Sequence, residues 1–136
     1  MEFSTYTLAD LPTIATALLN DLHETKIITF EGQMGAGKTT LIQFILRAMG
    51  IEETDGSPTY SLVNVYNSPY FGTVNHFDLY RLNSLEEVFD IGFEEMLYAN
   101  QICLIEWADL VLDELPENTI HVKITTNEDG TRQISW

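Results

Sequence analysis

Residues 32–39 (GQMGAGKT) have the residue types and spacing of a phosphate-binding loop, G-x-x-x-x-G-K-[ST]. The glycines let backbone N–H groups approach phosphate oxygens without an intervening Cβ. Lys38 supplies a positive charge for the β- and γ-phosphates, and the Thr39 hydroxyl is a ligand for Mg²⁺. A glycine-rich turn without function is the alternative. The apolar segment before the loop and the amphipathic segment after it favour nucleotide binding.

Two carboxylates follow apolar segments, as a phosphate loop requires for holding a metal ion and orienting a nucleophile. Glu106 ends the apolar residues 102–105, where a second metal-binding motif is expected, and Asp78 ends the predicted strand 73–78. A solvated strand-end carboxylate is the alternative for both, because the chain has 21 acidic residues. We expect Glu106 and Asp78 to share a site with the loop.

Four further residues have two interpretations each. His76 is a candidate proton acceptor, although a histidine on an alternating strand is more often structural. Arg81 and Arg132 are candidates to stabilise charge on a transferring phosphate, with a surface ion pair as the more common outcome. Trp107 beside Glu106 either shields the site from water or packs in the core.

The hydrophobic pattern predicts alternating helices and apolar strands. Helices are expected over residues 10–22 and 38–49 and after Ser84, and strands over residues 26–31, 60–66, 73–78 and 102–106. A turn is expected at residues 67–72, and residues 119–126 and 131–136 are expected to form a C-terminal hairpin. No repeat or linker divides the chain, so the sequence predicts one α/β domain, residues 1–136, with a mixed sheet flanked by helices.

Composition excludes several classes of partner. The 136 residues include 21 Asp and Glu against 6 Lys and Arg, a net charge of −15. Strong direct binding to tRNA, DNA or an anionic membrane is therefore not expected, whereas a basic protein partner remains open. Cys103 is the single cysteine, which excludes an intrachain disulfide and a cysteine-based zinc cluster. The N-terminal residues lack a signal-peptide pattern, so a cytoplasmic protein is expected.

Four sequence blocks occur in a fixed order: GQMGAGKTT at 32–40, SPTY at 57–60, HFDLYR at 76–81 and LIEW at 104–107. In this order and spacing the chain resembles the TsaE family, the small P-loop ATPases of bacterial tRNA threonylcarbamoyladenosine synthesis. The resemblance covers nearly the whole chain. It departs from the family at Gln33 and Met34, where Asp and Leu are usual, and at Ala108, where Pro is frequent.

The resemblance implies an ATPase that is slow alone and acts with TsaD-like and TsaB-like proteins, which modify adenosine 37 of tRNAs reading ANN codons. It implies Lys38, Asp78 and Glu106 as catalytic residues and Thr39, Glu106 and Asp78 as Mg²⁺ ligands. It also implies that the stretch before the first helix lies near the adenine. The implied ATP-binding residues are Gly32, Gly35, Ala36, Gly37, Lys38, Thr39, Thr40 and, in a loop sensing the γ-phosphate, Thr59.

Three other readings of the loop remain. A small-molecule kinase is disfavoured, because such an enzyme needs a lid with several arginines and the whole chain has only three arginines. A GTPase is disfavoured because no guanine-reading block is present and Asp78-Leu79-Tyr80-Arg81 lacks the glycine of a GTPase switch. A nucleotide-gated binding module without turnover is disfavoured mildly by the two candidate carboxylates.

Overall fold

The computed structural model describes residues 1–22, 26–54, 56, 58 and 62–136. Within them the strands are β1 (Glu2–Tyr6), β2 (Ile27–Glu31), β3 (Val63–Ser68), β4 (Gly72–Asp78), β5 (Ile102–Glu106), β6 (Ile120–Thr126) and β7 (Arg132–Ser135). The α-helices are α1 (Leu11–Asn20), α2 (Lys38–Ala48), α3 (Leu85–Asp90) and α4 (Phe93–Leu97). Short 3-10 turns span Leu8–Asp10, Ala108–Leu110 and Leu112–Glu114.

The seven strands form one mixed sheet in the order β1-β7-β6-β2-β5-β4-β3. The four central strands, β6, β2, β5 and β4, are parallel to one another. The outer strands pair antiparallel, β7 with β6, β1 with β7, and β3 with β4. The predicted α/β fold with a mixed sheet and a C-terminal hairpin is confirmed. Because parallel strands end at the same edge, the segments after β2, β4, β5 and β6 meet there.

Both faces of β2 and β5 are buried, which explains why these two strands are apolar without alternation. Ile28 and Phe30 of β2 belong to the larger cluster, together with the apolar residues of α1 and α2. Ile27 belongs to the second cluster, with Phe77 of β4 and Phe93 of α4. Helices therefore hold β2 from both sides and fix the position of the loop that follows it.

Several boundaries differ from the sequence-based expectation. β3 continues to Ser68 and β4 begins at Gly72, so the turn predicted at 67–72 is too long. The first helix is shorter than the predicted 10–22: it begins one residue later, after a 3-10 turn, and it ends two residues earlier, at Asn20. In the 3-10 turn the backbone N–H of Thr7 donates to the Asp10 carboxylate at 2.8 Å. Residues 60 and 61 of the predicted strand lie outside the described residues.

Two elements were not predicted at all, β1 and α4. β1 is mostly exposed and polar, and it exists because it pairs with β7, with Phe3 opposite Ile134 and Phe3 stacked on Trp136 at 6.1 Å. α4 has only five residues and follows Gly92, which has a φ of 82°. Long-range pairing and a two-residue break between helices leave little periodic signal in a sequence.

Candidate nucleotide site

The loop of residues 32–37 joins the end of β2 to the first residue of α2, at the edge where the parallel strands end. Gly32 lies so close to β6 that a Cβ there would be 3.0 Å from the carbonyl oxygen of Ile124. Gly37 has a φ of 99°, in the left-handed region that favours glycine. The turn therefore depends on these two glycines, and it leads into a helix whose first N–H groups have no intrahelical partner.

Lys38 is folded back over the loop and is 5% exposed. Its ammonium donates to the carbonyl of Gly32 and lies 3.6 Å from the centroid of the Trp107 ring, a cation–π contact. Burial lowers the pKa of Lys38, while the charges of Glu106, Asp78 and Asp109 oppose this shift. A desolvated ammonium at the loop is suited to binding an anion.

The backbone of Trp107, the residue that contacts Lys38, is in the left-handed conformation, with a φ of 57°. Such a conformation costs energy for a bulky residue and commonly marks a functional site. Its ring also lies 4.7 Å from the ring of exposed Tyr80. Trp107 is therefore neither a core residue nor a free surface residue, and it covers the lysine of the loop.

A buried chain of hydrogen bonds connects α2 with β5 and β4. The Thr39 hydroxyl donates to Oε1 of Glu106 at 2.9 Å, and Oε2 of Glu106 is 2.7 Å from Nε2 of His76. Glu106 is 2% exposed and His76 1%. His76 thus orients the Glu106 carboxylate toward the loop. Within the described residues, Nδ1 of His76 is buried and has no hydrogen-bond partner.

Asp78 ends β4 directly beside Glu106 in the parallel register. Its carboxylate accepts the backbone N–H of Tyr80 at 3.0 Å, and its charge acts on Lys38. The structure thus brings Lys38, Thr39, Asp78 and Glu106 to one edge of the sheet. Among the described residues, no three His, Cys, Asp or Glu side chains are grouped to hold a metal ion. The Thr39 hydroxyl and Glu106 carboxylate are nevertheless oxygen donors of the kind Mg²⁺ prefers.

On the opposite side of the loop, Arg132 begins β7 and reaches back across the sheet edge. Its Nη2 donates to the carbonyl of Gly35 at 3.3 Å. A cleft of about 410 Å³ opens beside this contact. It is lined by Arg132, by Gly37 and Thr40 of the loop and helix, by the hairpin turn, and by the N-terminal residues Tyr6, Thr7, Leu8 and Leu11. The stretch before α1 and the phosphate loop therefore share one cleft.

A second, larger groove of about 820 Å³ adjoins the loop on the Lys38 side. One wall is the polar face of β2 and β6, where the Thr29 hydroxyl and Nδ1 of His121 are 2.7 Å apart. The other wall is formed by residues 107–109 and Leu112. Asp109, which acts on the pKa of Lys38, is a site residue that sequence reasoning missed. No local pattern signals it, since it lies in a 3-10 turn.

Among the other candidate residues named from the sequence, Arg81 is exposed. The surface ion pair expected for Arg132 is absent from the part of the chain that the structure describes. Thr59, with its neighbours Ser57 and Tyr60, lies outside the described residues. Gly35 and Ala36 lie in the loop itself, Ala36 buried in the larger core cluster.

A strand, a glycine loop with a buried lysine, a helix, and a threonine bonded to a strand-end carboxylate define a P-loop fold of the nucleotide-binding class. Within the described residues, none of the helices has the length and apolarity needed to cross a membrane.

The family model described as threonylcarbamoyl adenosine biosynthesis protein TsaE matches residues 5–134. This chain therefore belongs to the TsaE family, as its sequence blocks predicted.

Individual relatives agree with this assignment. The chain is 40% identical over 114 residues to the tRNA threonylcarbamoyladenosine biosynthesis protein TsaE of Treponema pallidum, covering 84% of this chain and 83% of that protein. It is 33% identical to the protein of the same name from Bacillus subtilis, over 81% of this chain and 68% of the relative. The crystal structure of Bacillus subtilis YdiB superposes with a TM-score of 0.76 at 26% identity, covering 98% of this chain and 82% of that one.

Proposed function

We propose that this chain is a Mg²⁺-dependent ATPase subunit, acting in the cytoplasm, that is required for threonylcarbamoyl modification of adenosine 37 in tRNAs reading ANN codons. The observation that carries the ATPase assignment is the 2.9 Å hydrogen bond between Thr39 and Glu106, which joins the phosphate loop to the end of β5 beside buried Lys38. Membership of the TsaE family supports the role in tRNA modification.

In this proposal each residue of the nucleotide site has a separate task. Lys38 binds the β- and γ-phosphates, and Gly32, Gly35, Ala36, Gly37 and Thr40 surround the phosphate chain. Thr39 and Glu106 hold Mg²⁺, which neutralises charge on the phosphates when bound. Asp78 orients a water molecule whose oxygen attacks the γ-phosphorus while the bond to the ADP oxygen breaks. His76 is a positioning residue that acts through Glu106.

The strong negative charge supports a function exercised through protein partners. A net charge of −15 opposes direct binding to tRNA, because phosphate contacts require lysine and arginine. We propose that TsaD-like and TsaB-like proteins handle the tRNA and that ATP hydrolysis resets their complex between turnovers. Thr59 is proposed to sense the γ-phosphate in this cycle.

The first test is ATP turnover by the purified protein, measured alone and then with its own TsaD-like and TsaB-like proteins. Slow turnover that rises severalfold with the partners is the expected result. Turnover that does not respond to them would contradict the proposed role while leaving a P-loop ATPase.

Matched variants test the assignment of the site. Lys38→Ala and Glu106→Gln are each expected to lower turnover on the order of 100-fold or more, since the first removes the positive charge on the phosphates and the second weakens a ligand of Mg²⁺. Lys26→Ala, at the opposite end of β2, and Glu117→Gln, at an exposed position, serve as controls. Circular dichroism checks that all four variants fold. Full activity in both site variants would refute the assignment.

A small-molecule kinase is the second candidate, favoured by the groove of about 820 Å³ that adjoins Lys38 and is large enough for an acceptor. Turnover that rises with a hydroxyl-bearing small molecule, and yields its phosphorylated form, would support the kinase. Release of inorganic phosphate alone supports the ATPase.

A further inference from the structure

Tyr80 and Trp107 are brought together by the register of two parallel strands. Asp78, the last residue of β4, lies beside Glu106, the last residue of β5. The chain after β4 stays attached to this point, because the backbone N–H of Leu79 donates to the Glu106 carbonyl at 3.2 Å and the Leu79 side chain is buried. The residues that follow the two carboxylates therefore meet, and the rings of Tyr80 and Trp107 lie 4.7 Å apart at an angle of 50°.

The two rings differ in their exposure, although both backbones are held in place. Tyr80 is 55% exposed, and its backbone N–H donates to the Asp78 carboxylate at 3.0 Å. Trp107 is half-buried and has the left-handed backbone already described. Tilted ring pairs of this kind are favourable beyond the apolar area that they bury, so Tyr80 holds the Trp107 ring in one position. We call Tyr80 and Trp107 together the aromatic cover.

The aromatic cover closes one side of the Lys38 ammonium to anions. A lysine ammonium has three N–H donors, and one of them is given to the Gly32 carbonyl. The centroid of the Trp107 ring lies 3.6 Å from Nζ of Lys38, a distance at which no phosphate oxygen fits between ring and ammonium. Lys38 is correspondingly only 5% exposed. With the ring in this position, the covered side of the ammonium is unable to donate to a phosphate.

The place of the aromatic cover in the site indicates which phosphate it excludes. Trp107 directly follows Glu106, whose carboxylate is bonded to Thr39 and is proposed to hold Mg²⁺ with it. In P-loop enzymes this ion bridges the β- and γ-phosphates, so the cover lies on the side of the γ-phosphate. The backbone N–H groups of the loop and of the first turn of α2 lie outside the cover, and they are sufficient to bind a β-phosphate. The cover should therefore oppose ATP more than ADP.

We propose that Tyr80 is a positioning residue that holds Trp107 over Lys38, and that this aromatic cover must open before Lys38 binds a γ-phosphate. The inference rests on the proposed nucleotide site and adds to it a selection between the two nucleotides. The free energy of opening reduces the affinity for ATP and leaves that for ADP unchanged, because only ATP places an anion on the covered side. A closed cover also gives a physical reason for slow turnover by the chain alone.

The test measures, by isothermal titration calorimetry with Mg²⁺, the affinities for ADP and for a non-hydrolysable ATP analogue. Tyr80→Ala is expected to raise the affinity for the ATP analogue relative to ADP by about 2- to 10-fold, the range for loss of an aromatic pair. Trp107→Leu should raise it by about 2- to 30-fold, because the cation–π contact itself is removed. Tyr80→Phe keeps the ring and should behave as the wild type. Tyr98→Ala is the matched control, since Tyr98 is an exposed tyrosine that precedes β5, at the end remote from Glu106.

The ratio of the two affinities separates a positioning role from a structural one, because damage to the fold would weaken both nucleotides together. Thermal unfolding of each variant shows whether the fold is kept. An unchanged ratio in folded Tyr80→Ala and Trp107→Leu, or a ratio that shifts toward ADP, would overturn the proposal. Failure of the wild type to bind either nucleotide would refute the nucleotide site itself, so the two failures are distinguishable.

Discussion

The two sides of the phosphate loop are built differently. On the acidic side, Thr39, Glu106 and His76 form a continuous hydrogen-bonded chain, and the last two are at most 2% exposed. On the arginine side, Arg132 extends from a hairpin whose tip is exposed and is held mainly by local hydrogen bonds, such as that from the Asn127 N–H to the Thr131 carbonyl at 2.7 Å.

The two sides of the loop are suited to different tasks. Parallel strands packed between helices on both faces hold Glu106 and Asp78 in a rigid register, which suits groups that must act on a reacting phosphate. An antiparallel hairpin at the side of the sheet positions one long, flexible side chain, which suits ligand binding. Mutations on the acidic side should therefore have larger effects than mutations on the arginine side.

The largest effect on stability is expected from Phe77→Ala. Phe77 precedes Asp78 on β4, is fully buried, and packs edge-on against Phe93 at 5.0 Å. Removing the ring should lower the free energy of unfolding by about 3–5 kcal/mol, because a cavity remains beneath the acidic side. Chemical denaturation measures this change. Phe89→Ala, at a position 39% exposed, is the matched control, and an equal loss in both would contradict the contrast in burial.

His76→Ala should have the next largest effect. It removes the partner of a buried Glu106 oxygen, which costs about 1–3 kcal/mol of stability. It should also reduce ATP turnover by about 10- to 100-fold, since a group that orients a metal ligand is lost. His76→Gln presents an N–H at a similar position and should recover part of the activity. Wild-type turnover in His76→Ala would show that Glu106 needs no positioning.

Alkaline pH should lower the free energy of unfolding, because the thiol of Cys103 on β5 is buried. Burial raises the pKa of the Cys103 thiol to about 11 from its ordinary 9.0. Between these values the unfolded chain loses the proton and the native state keeps it, so stability falls as pH rises from 9 toward 11. The loss attributable to this thiol should be about 1.4 kcal/mol at pH 10.

The measurement is the free energy of unfolding of wild type and Cys103→Ala against pH. The two curves should differ by a constant below pH 8 and converge above pH 9. A difference that does not change with pH would show that this thiol is not the cause.

The smallest effect is expected at the tip of the hairpin, from Gly130→Ala. Gly130 has a φ of 86° and nothing within 4 Å of the added methyl group. Only the left-handed backbone conformation is penalised, at about 1 kcal/mol. Thermal unfolding checks this value. A loss as large as that of Phe77→Ala would mean that the hairpin is as rigidly built as the acidic side.

Much of the fold could be predicted because its signals are local. The loop motif, the amphipathic α2 and the apolar strands β2 and β5 each follow from composition and period over a few residues. β1 escaped prediction because an exposed polar strand exists only through its pairing with β7. α4 escaped because five residues carry less than two turns of periodicity.

The phosphate loop, the α/β class and the two strand-end carboxylates could be predicted without a structure, because a glycine pattern and an apolar segment ending in an acid are local properties. Tertiary packing brings His76 to Glu106, Trp107 to Lys38 and Arg132 to the loop, and none of these contacts has a local sequence signal. These contacts depend on strand order and register, which arise from packing between residues as far as 97 positions apart. Strand order and register depend on the free energy of packing the whole core, so no single segment of the sequence predicts them.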